Sequence, residues 1–413
     1  MSLPTLSLGL AARVFLPFAG GYFLSYLYRS VNAVIAPDLV RELALSPADL
    51  GLLTSTYFLT FGLAQLPLGI LLDRLGPRRV ETALLLIAAL GAAVFSLSPG
   101  MDMLIMGRGL IGFGVAACLM ASLKGFTQWF PYERLPLVNG LLLGCGGLGA
   151  LAATSPVEWA LHHTGWRSLF LLLAGATLLA AAVIFFVMPD KKRDAASHPH
   201  ETLDQQIGAV KAIFKSPKFW SIAPASAAAQ ASFMGIQGLW AGPWLRDVAQ
   251  LSRDDAAFHL FVMAGAVALG FVSTGAVADY LRRFSIRPIE VAFAGMILYM
   301  LAQLAFVLGA TTATLPLCFL FGLLGTASAL NYANLAQLFP VHLSGRVSTS
   351  FNLLVFAASF AGQWGMGAVI GLWTPDAGGH YPEAAFSASF GLMLALQGIG
   401  MAWFFVTRRR LGL

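Results

Sequence analysis

The sequence predicts an all-α membrane protein with twelve transmembrane helices in two pseudo-symmetric six-helix bundles. Three observations carry this: too little charge for a soluble surface, apolar runs of bilayer length, and two halves that echo each other. Of the 413 residues, 58% are hydrophobic and only 11% charged, with a mean hydropathy of +0.77, whereas a soluble domain carries about 25% charged residues. Such a chain cannot coat a water-soluble fold, so its apolar surface meets lipid. The formal charge of +6 therefore speaks to membrane topology, with no nucleic acid expected as a partner.

A helix needs about 20 apolar residues to cross the hydrocarbon layer. Stretches of that kind run from Leu16 to Ala36, Leu50 to Leu72, Val80 to Leu97, Leu104 to Phe126, Leu137 to Trp159 and Ser168 to Met188. A second set runs from Phe219 to Leu245, Ala256 to Ala278, Ile289 to Leu308, Leu315 to Leu338, Val347 to Trp373 and Ala384 to Val406. The predicted units are residues 1–188, a linker over 189–218 that holds Lys191, Lys192, Arg193, His198 and His200, and residues 219–413. The first fifteen residues lack the series of a cleaved signal, so the first span is expected to start insertion. Most of the 25 Lys+Arg fall in the loops on the side of the termini and the linker. Lys/Arg excess marks the cytoplasmic face, so both termini and the linker are expected inside, in a plasma (inner) membrane.

The halves repeat: Asp73 after the second span corresponds to Asp279 after the eighth, and Phe130-Pro131 to Phe339-Pro340. Duplicated halves meeting at a pseudo-two-fold axis are a common build of secondary transporters, with the site near the bilayer midplane. Cys118, Cys145 and Cys318 all sit in apolar runs, and neither they nor the His pairs have metal-ligand spacing, so no disulfide, metal or cofactor is expected.

The loop after the second span reads Gly69-Ile-Leu-Leu-Asp73-Arg74-Leu-Gly76-Pro-Arg78-Arg79. It matches the G-x-x-x-D-R-x-G-x-R-R signature, and the chain resembles the major facilitator superfamily. A partial copy, Gly275-x-x-x-Asp279-x-x-Arg282-Arg283, follows the eighth span. The resemblance implies a twelve-helix alternating-access carrier in which Asp73, Arg74, Arg78, Asp279 and Arg282 gate the cytoplasmic side; without it, these charges serve topology alone. Arg108, in Arg108-Gly-Leu-Ile-Gly112, resembles the family's R-x-x-x-G motif, associated with coupling.

The three basic residues within spans are Arg29, Arg108 and Lys124, with no Asp or Glu expected deep in any span. Intramembrane charges are costly and mark functional sites by default. Three cations without a buried counter-anion point to an anionic substrate that supplies one. Tyr22, Tyr26, Arg29 and Asn32 form a polar stripe at helical spacing. That first span resembles the organic-anion and organophosphate carriers of the family, where an arginine at this place grips the carboxylate or phosphate. The alternative is an arginine that snorkels or bonds neighbouring carbonyls. Met234 stands near the place of the second arginine of phosphate exchangers, and the second and eighth spans lack the arginines of nitrate porters. One arginine suits a monocarboxylate or other small organic anion better than phosphate or nitrate. Lys124 is either a second anion contact or a lysine snorkelling to the cytoplasm.

Gln237 and Trp240 in the seventh span and Asn331 and Asn334 in the tenth are candidate cavity-lining residues, because helices one, four, seven and ten line the cavity in this superfamily. Hydrogen bonding between helices is the competing role for each. The glycine-rich run from Gly140 to Gly149 reads as a packing ridge. The expected function is secondary transport of a small organic anion, with a proton as candidate co-ion in symport and no ATP loop. The competitors are efflux of amphipathic drugs or a metal chelate and, more remotely, a polytopic enzyme or sensor; no enzyme site is found. A monomer is expected.

Overall fold

The computed structural model describes residues 8–189, 203–340 and 343–411. The linker residues Lys191, Lys192, Arg193, His198 and His200 lie outside the described residues; the rest of the predicted linker includes a helix, Leu203–Phe214. The described residues are helical with short connections and no strand. Ten helical segments are long and apolar enough to cross a membrane, and a bent pair, Pro47–Gln65 with Pro67–Leu75, supplies an eleventh. The predicted seventh span is helical in three pieces, Pro217–Gly235, Ile236–Trp240 and Ala241–Asp247. Its Ser, Gln and Ala content makes it less apolar than the others. The chain is a multi-pass membrane protein.

Local chemistry sets the turns. Ser46 opens the second span with a capping box, its hydroxyl accepting from Asp49 N and the Asp49 carboxylate accepting from Ser46 N, with Pro47 at the first helical position. The 56° bend of this span falls at Pro67, where the missing N–H breaks the helical ladder. Gly76 joins the second and third spans at φ +81°, a conformation that glycine adopts without strain.

The packing repeats along the chain. The first span packs on the fifth as the seventh does on the eleventh, the second on the fourth as the eighth does on the tenth, and the third on the sixth as the ninth does on the twelfth. Contacts between the two sets run from the second span to the eleventh, from the eighth to the fifth and from the first to the seventh.

The first, fourth, seventh and tenth spans are each interrupted within their length. The first divides into Leu8–Ser30 and Asn32–Leu43, and the fourth into Met101–Gly114 and Cys118–Trp129. The seventh carries a π-helical turn over Ile236–Trp240, and the tenth a 3-10 turn over Ala327–Ala329. Breaks of this kind free backbone groups and gather at binding sites. The fifth also breaks, between Leu135–Ala152 and Ser155–Leu161.

The predicted glycine ridge of the fifth span is a packing surface only in part. Gly149 lies on the Phe23 carbonyl and Gly146 on the Tyr22 and Tyr26 rings, whereas Gly140 and Gly144 have open space where a side chain would stand. Pro37 cannot donate to the carbonyl four residues earlier. That carbonyl, Ala33 O, lies 2.8 Å from where a side chain on Gly242 would begin, so the far end of the first span rests on the seventh.

Candidate functional site

Arg29 stands where helices of both sets meet. Its guanidinium carbon lies 4.7 Å from the Tyr26 ring, 5.3 Å from Phe61 of the second span and 5.7 Å from Phe356 of the eleventh. Phe61 and Phe356 are 4.5 Å apart by ring centroids. Tyr57 and Tyr332 of the tenth span lie within electrostatic reach. Arg29 Nε is buried without a hydrogen-bond partner, and among the described residues the side chain forms no ion pair. Arg29, Tyr26, Tyr332 and Gln237 are each half-buried. A cation over ring faces is attracted to their π-electrons, yet those faces offer no counter-charge, which leaves the guanidinium able to accept a carboxylate in a two-pronged grip.

The other candidates are distributed around this point. Asn32 is buried and donates to Thr54 Oγ1 at 3.1 Å. Trp240 is buried, with Nε1 donating to Gln363 O at 3.0 Å. Asn334 donates to Asn331 Oδ1 at 2.9 Å, and Asn331 donates to Ser226 Oγ at 2.8 Å, so the two amides form a relay between the tenth and seventh spans. Arg108 is 1% exposed, donates to Tyr28 O at 2.8 Å and lies 4.8 Å from the Tyr57 ring. Tyr57 thus separates the two intramembrane arginines. Lys124 pairs with Asp73 near the loop end of its span. Asp279 and Arg282 face each other at 3.8 Å within their own loop, Arg78 donates to Phe185 O, and Arg74 is exposed beside Asp73.

At the opposite end of the bundle a charge cluster joins the two sets. Arg253, before the eighth span, meets Asp38 of the first at 2.5 and 3.0 Å and Glu158 of the fifth at 2.5 Å. His162 lies 2.9 Å from Asp254. Nearby, Arg167 and Trp166 donate to Glu42 and hold its carboxyl below the usual glutamate range.

Three kinds of site residue were not legible in the sequence. Phe61 and Phe356 read as ordinary apolar positions, because an aromatic in a span is core or lipid-facing by default. Arg253 reads as a loop cation, although Asp38 and Glu158 near the ends of their spans gave a signal. Glu81, two residues after the Arg78-Arg79 pair, reads as a loop-end charge. It is 0% exposed, and both of its carboxylate oxygens lack hydrogen-bond partners. Glu81 stands near the start of the third span, Pro77–Leu97, so it is enclosed by its neighbours although it is not deep along the span.

A hexuronate transporter of Escherichia coli (strain K12) is 27% identical over 216 residues, covering 49% of this chain and 50% of that protein. A galacturonate transporter of Dickeya chrysanthemi is 26% identical over 216 residues, covering 49% of this chain and 63% of that protein. The chain spans about half the length of the curated relatives it matches. The crystal structure of a bacterial homolog to the human lysosomal transporter Spinster, inward-facing and unoccupied, superposes with a TM-score of 0.78 at 17% identity, covering 98% of each chain. The family model of the Major Facilitator Superfamily matches residues 18–363, the two loop signatures and mirrored packing agree with it, and the chain belongs to that superfamily.

Proposed function

We propose that this protein is a secondary carrier, not an enzyme, that moves a small carboxylate-type organic anion through the membrane by alternating access. The observation that carries the reading is Arg29: an intramembrane guanidinium without an ionic partner, placed between helices of both sets. The organic acids named for the two relatives, hexuronate and galacturonate, are monoanions that would supply the missing charge. Tyr26 stacks on the arginine, and Gln237 and Tyr332 offer hydrogen bonds to hydroxyls of a sugar acid.

The Asp73 face is cytoplasmic by its Lys/Arg excess, so the Arg253–Asp38 cluster closes the outer side. Residues 1–188 and 219–413 are the two rocking units, and the 189–218 linker tethers them. An anion on Arg29 removes the cost of a lone charge between the units, which lowers the barrier to rearrangement. Asp73, Arg74, Arg78, Asp279 and Arg282 belong to the cytoplasmic gate, and Lys124 supports it by holding Asp73. Arg108, anchored to Tyr28 O, fixes the first span beside the site. The protein works as a monomer in the inner membrane.

The test is thermal stability in detergent with D-galacturonate, D-galactose and a lipophilic cation, in wild type and Arg29→Gln. Ligand that binds only the folded state raises the melting temperature by mass action. Stabilisation by the acid alone, absent in Arg29→Gln, is the expected result. Equal shifts in both proteins, or shifts confined to the lipophilic cation, would overturn the assignment in favour of efflux.

A further inference from the structure

We propose that Glu81 is a proton-binding site of this carrier and supplies the proton that travels with the anion. Its coupling role rests on the anion-carrier reading above; its protonation does not. Glu81 lies in the first turn of the third span, Pro77–Leu97, and is completely enclosed. Its Oε1 sits 2.5 Å from where a side chain on Gly21 would begin, so the first span fits against the carboxyl only because residue 21 is glycine. The Cys118 thiol of the fourth span faces the carboxyl, with Tyr22 of the first span beyond it. On its own helix Arg78 is turned away to the Phe185 carbonyl and ring. Among the described residues no cation pairs with Glu81, and the second and sixth spans present no acid or base to it.

A fully enclosed carboxylate with no cation and only the weak donor of the Cys118 thiol facing it is strongly disfavoured away from water, so the group is held here as the neutral acid. The enclosure depends on the position of the first span, which is the helix that carries Arg29. Gly21 and Arg29 are eight residues apart, roughly 12 Å along the axis, and Tyr22 and Tyr26 fill the interval. Their rings lie 5.1 Å apart, and Tyr26 is 4.7 Å from the Arg29 guanidinium. A movement of the first span that accompanies the change between the outward- and inward-facing states lifts Gly21 from Glu81, admits water and lets the proton leave. Proton affinity then differs between the two conformations, as coupling requires. One proton with one monoanion carries no net charge, so the pH gradient drives uptake.

The experiment has two arms. Infrared spectra of purified, substrate-free protein at neutral pH report protonated carboxyls whatever the substrate is; Glu81→Gln keeps the size and neutrality of the buried acid. Liposomes holding wild type or Glu81→Gln are assayed with D-galacturonate for accumulation driven by external acid and for exchange without a gradient. The expected result is a protonated-carboxyl band in wild type that Glu81→Gln lacks, with driven accumulation at least tenfold lower in the variant and exchange retained. An unchanged band, or undiminished accumulation by Glu81→Gln, overturns the proposal. Loss of exchange together with accumulation marks a structural role and overturns the coupling. Failure of wild type to exchange D-galacturonate counts against the anion reading instead, and the infrared band still decides Glu81.

Discussion

Arg253 grips Asp38 across the two sets of spans, Nη1 at 3.0 Å from Oδ1 and Nη2 at 2.5 Å from Oδ2. The same guanidinium meets Glu158 through Nε at 2.5 Å. The Asp38 and Glu158 side chains are 12% and 4% exposed, so water screens these contacts weakly. Hydrogen bonds to charged groups contribute about 1.5–3 kcal/mol each, and about 1.4 kcal/mol is tenfold in a population. Asp38→Asn is therefore expected to shift the conformational equilibrium at least about tenfold toward opening at this end. Distances between spin labels on the ends of the first and eighth spans measure it, and an unchanged distribution would show that apolar packing holds this face alone.

Lysine in place of Arg29 preserves the charge but not the shape. A compact, strongly hydrated ammonium cannot stack flat on Tyr26 or present two parallel N–H groups to a carboxylate. Arg29→Lys is expected to weaken D-galacturonate binding at least about tenfold, a loss of roughly 1.4 kcal/mol or more, without lowering the melting temperature of the unliganded protein. Calorimetric titration checks this; wild-type affinity in the lysine variant would reduce Arg29 to a source of positive potential.

The fold was legible because the bilayer allows few solutions. With no water to satisfy backbone groups, runs of about 20 apolar residues must be helices, and the Asp73 and Asp279 loops placed them in a repeated frame. Arg29 was legible for a related reason, since a charge among apolar residues stands out. Its surroundings were not. Phe61 and Phe356 become ring partners of Arg29 only when the second and eleventh spans cross, a long-range event with no local signature. The role of Glu81 was hidden by its position at the start of the third span, beside a basic loop, where the close approach of Gly21 and Cys118 encloses it. Asn32 shows the converse, since helical spacing aligned it with Arg29 but its amide is bonded to Thr54.

Two glycines of one ridge should behave in opposite ways. A methyl group on Gly149 would collide with the Phe23 carbonyl, while one on Gly140 meets nothing. Gly149→Ala is expected to destabilise by about 1–3 kcal/mol through overpacking. Gly140→Ala should be neutral or slightly stabilising, because alanine is the better helix former by about 1 kcal/mol. Melting temperatures in one detergent compare them; equal effects would mean that the first and fifth spans separate readily.

Lys124 and Arg29 answer to different partners. With its ammonium on Asp73, Lys124→Gln is expected to leave D-galacturonate affinity within about twofold while altering transport rate, since an exposed pair contributes only about 0.2–1 kcal/mol. Binding and initial-rate measurements separate the two effects. A large loss of affinity with an unchanged rate would place Lys124 in the anion site.

The Glu42 cluster predicts how stability responds to acid. Arg167 donates to Glu42 Oε1 through Nε at 3.0 Å and Nη2 at 2.8 Å, and Trp166 Nε1 donates to Oε2 at 2.6 Å. All three favour the anion, so the carboxyl is lowered below its ordinary range. A depressed folded value means that the pair stabilises above the unfolded value of about 4.3 and that the contribution is lost as pH falls through the folded value. Glu42→Gln should thus melt below wild type at neutral pH, by a small margin because the pair is partly exposed, and the gap should close on acidification. The arginine itself keeps its bonds to Ser96 O and Ser98 O at 2.8 and 2.7 Å, so the sixth span stays anchored to the end of the third while Glu42 lets go. A gap of constant size across the acid range would assign the effect of the substitution to packing rather than to charge.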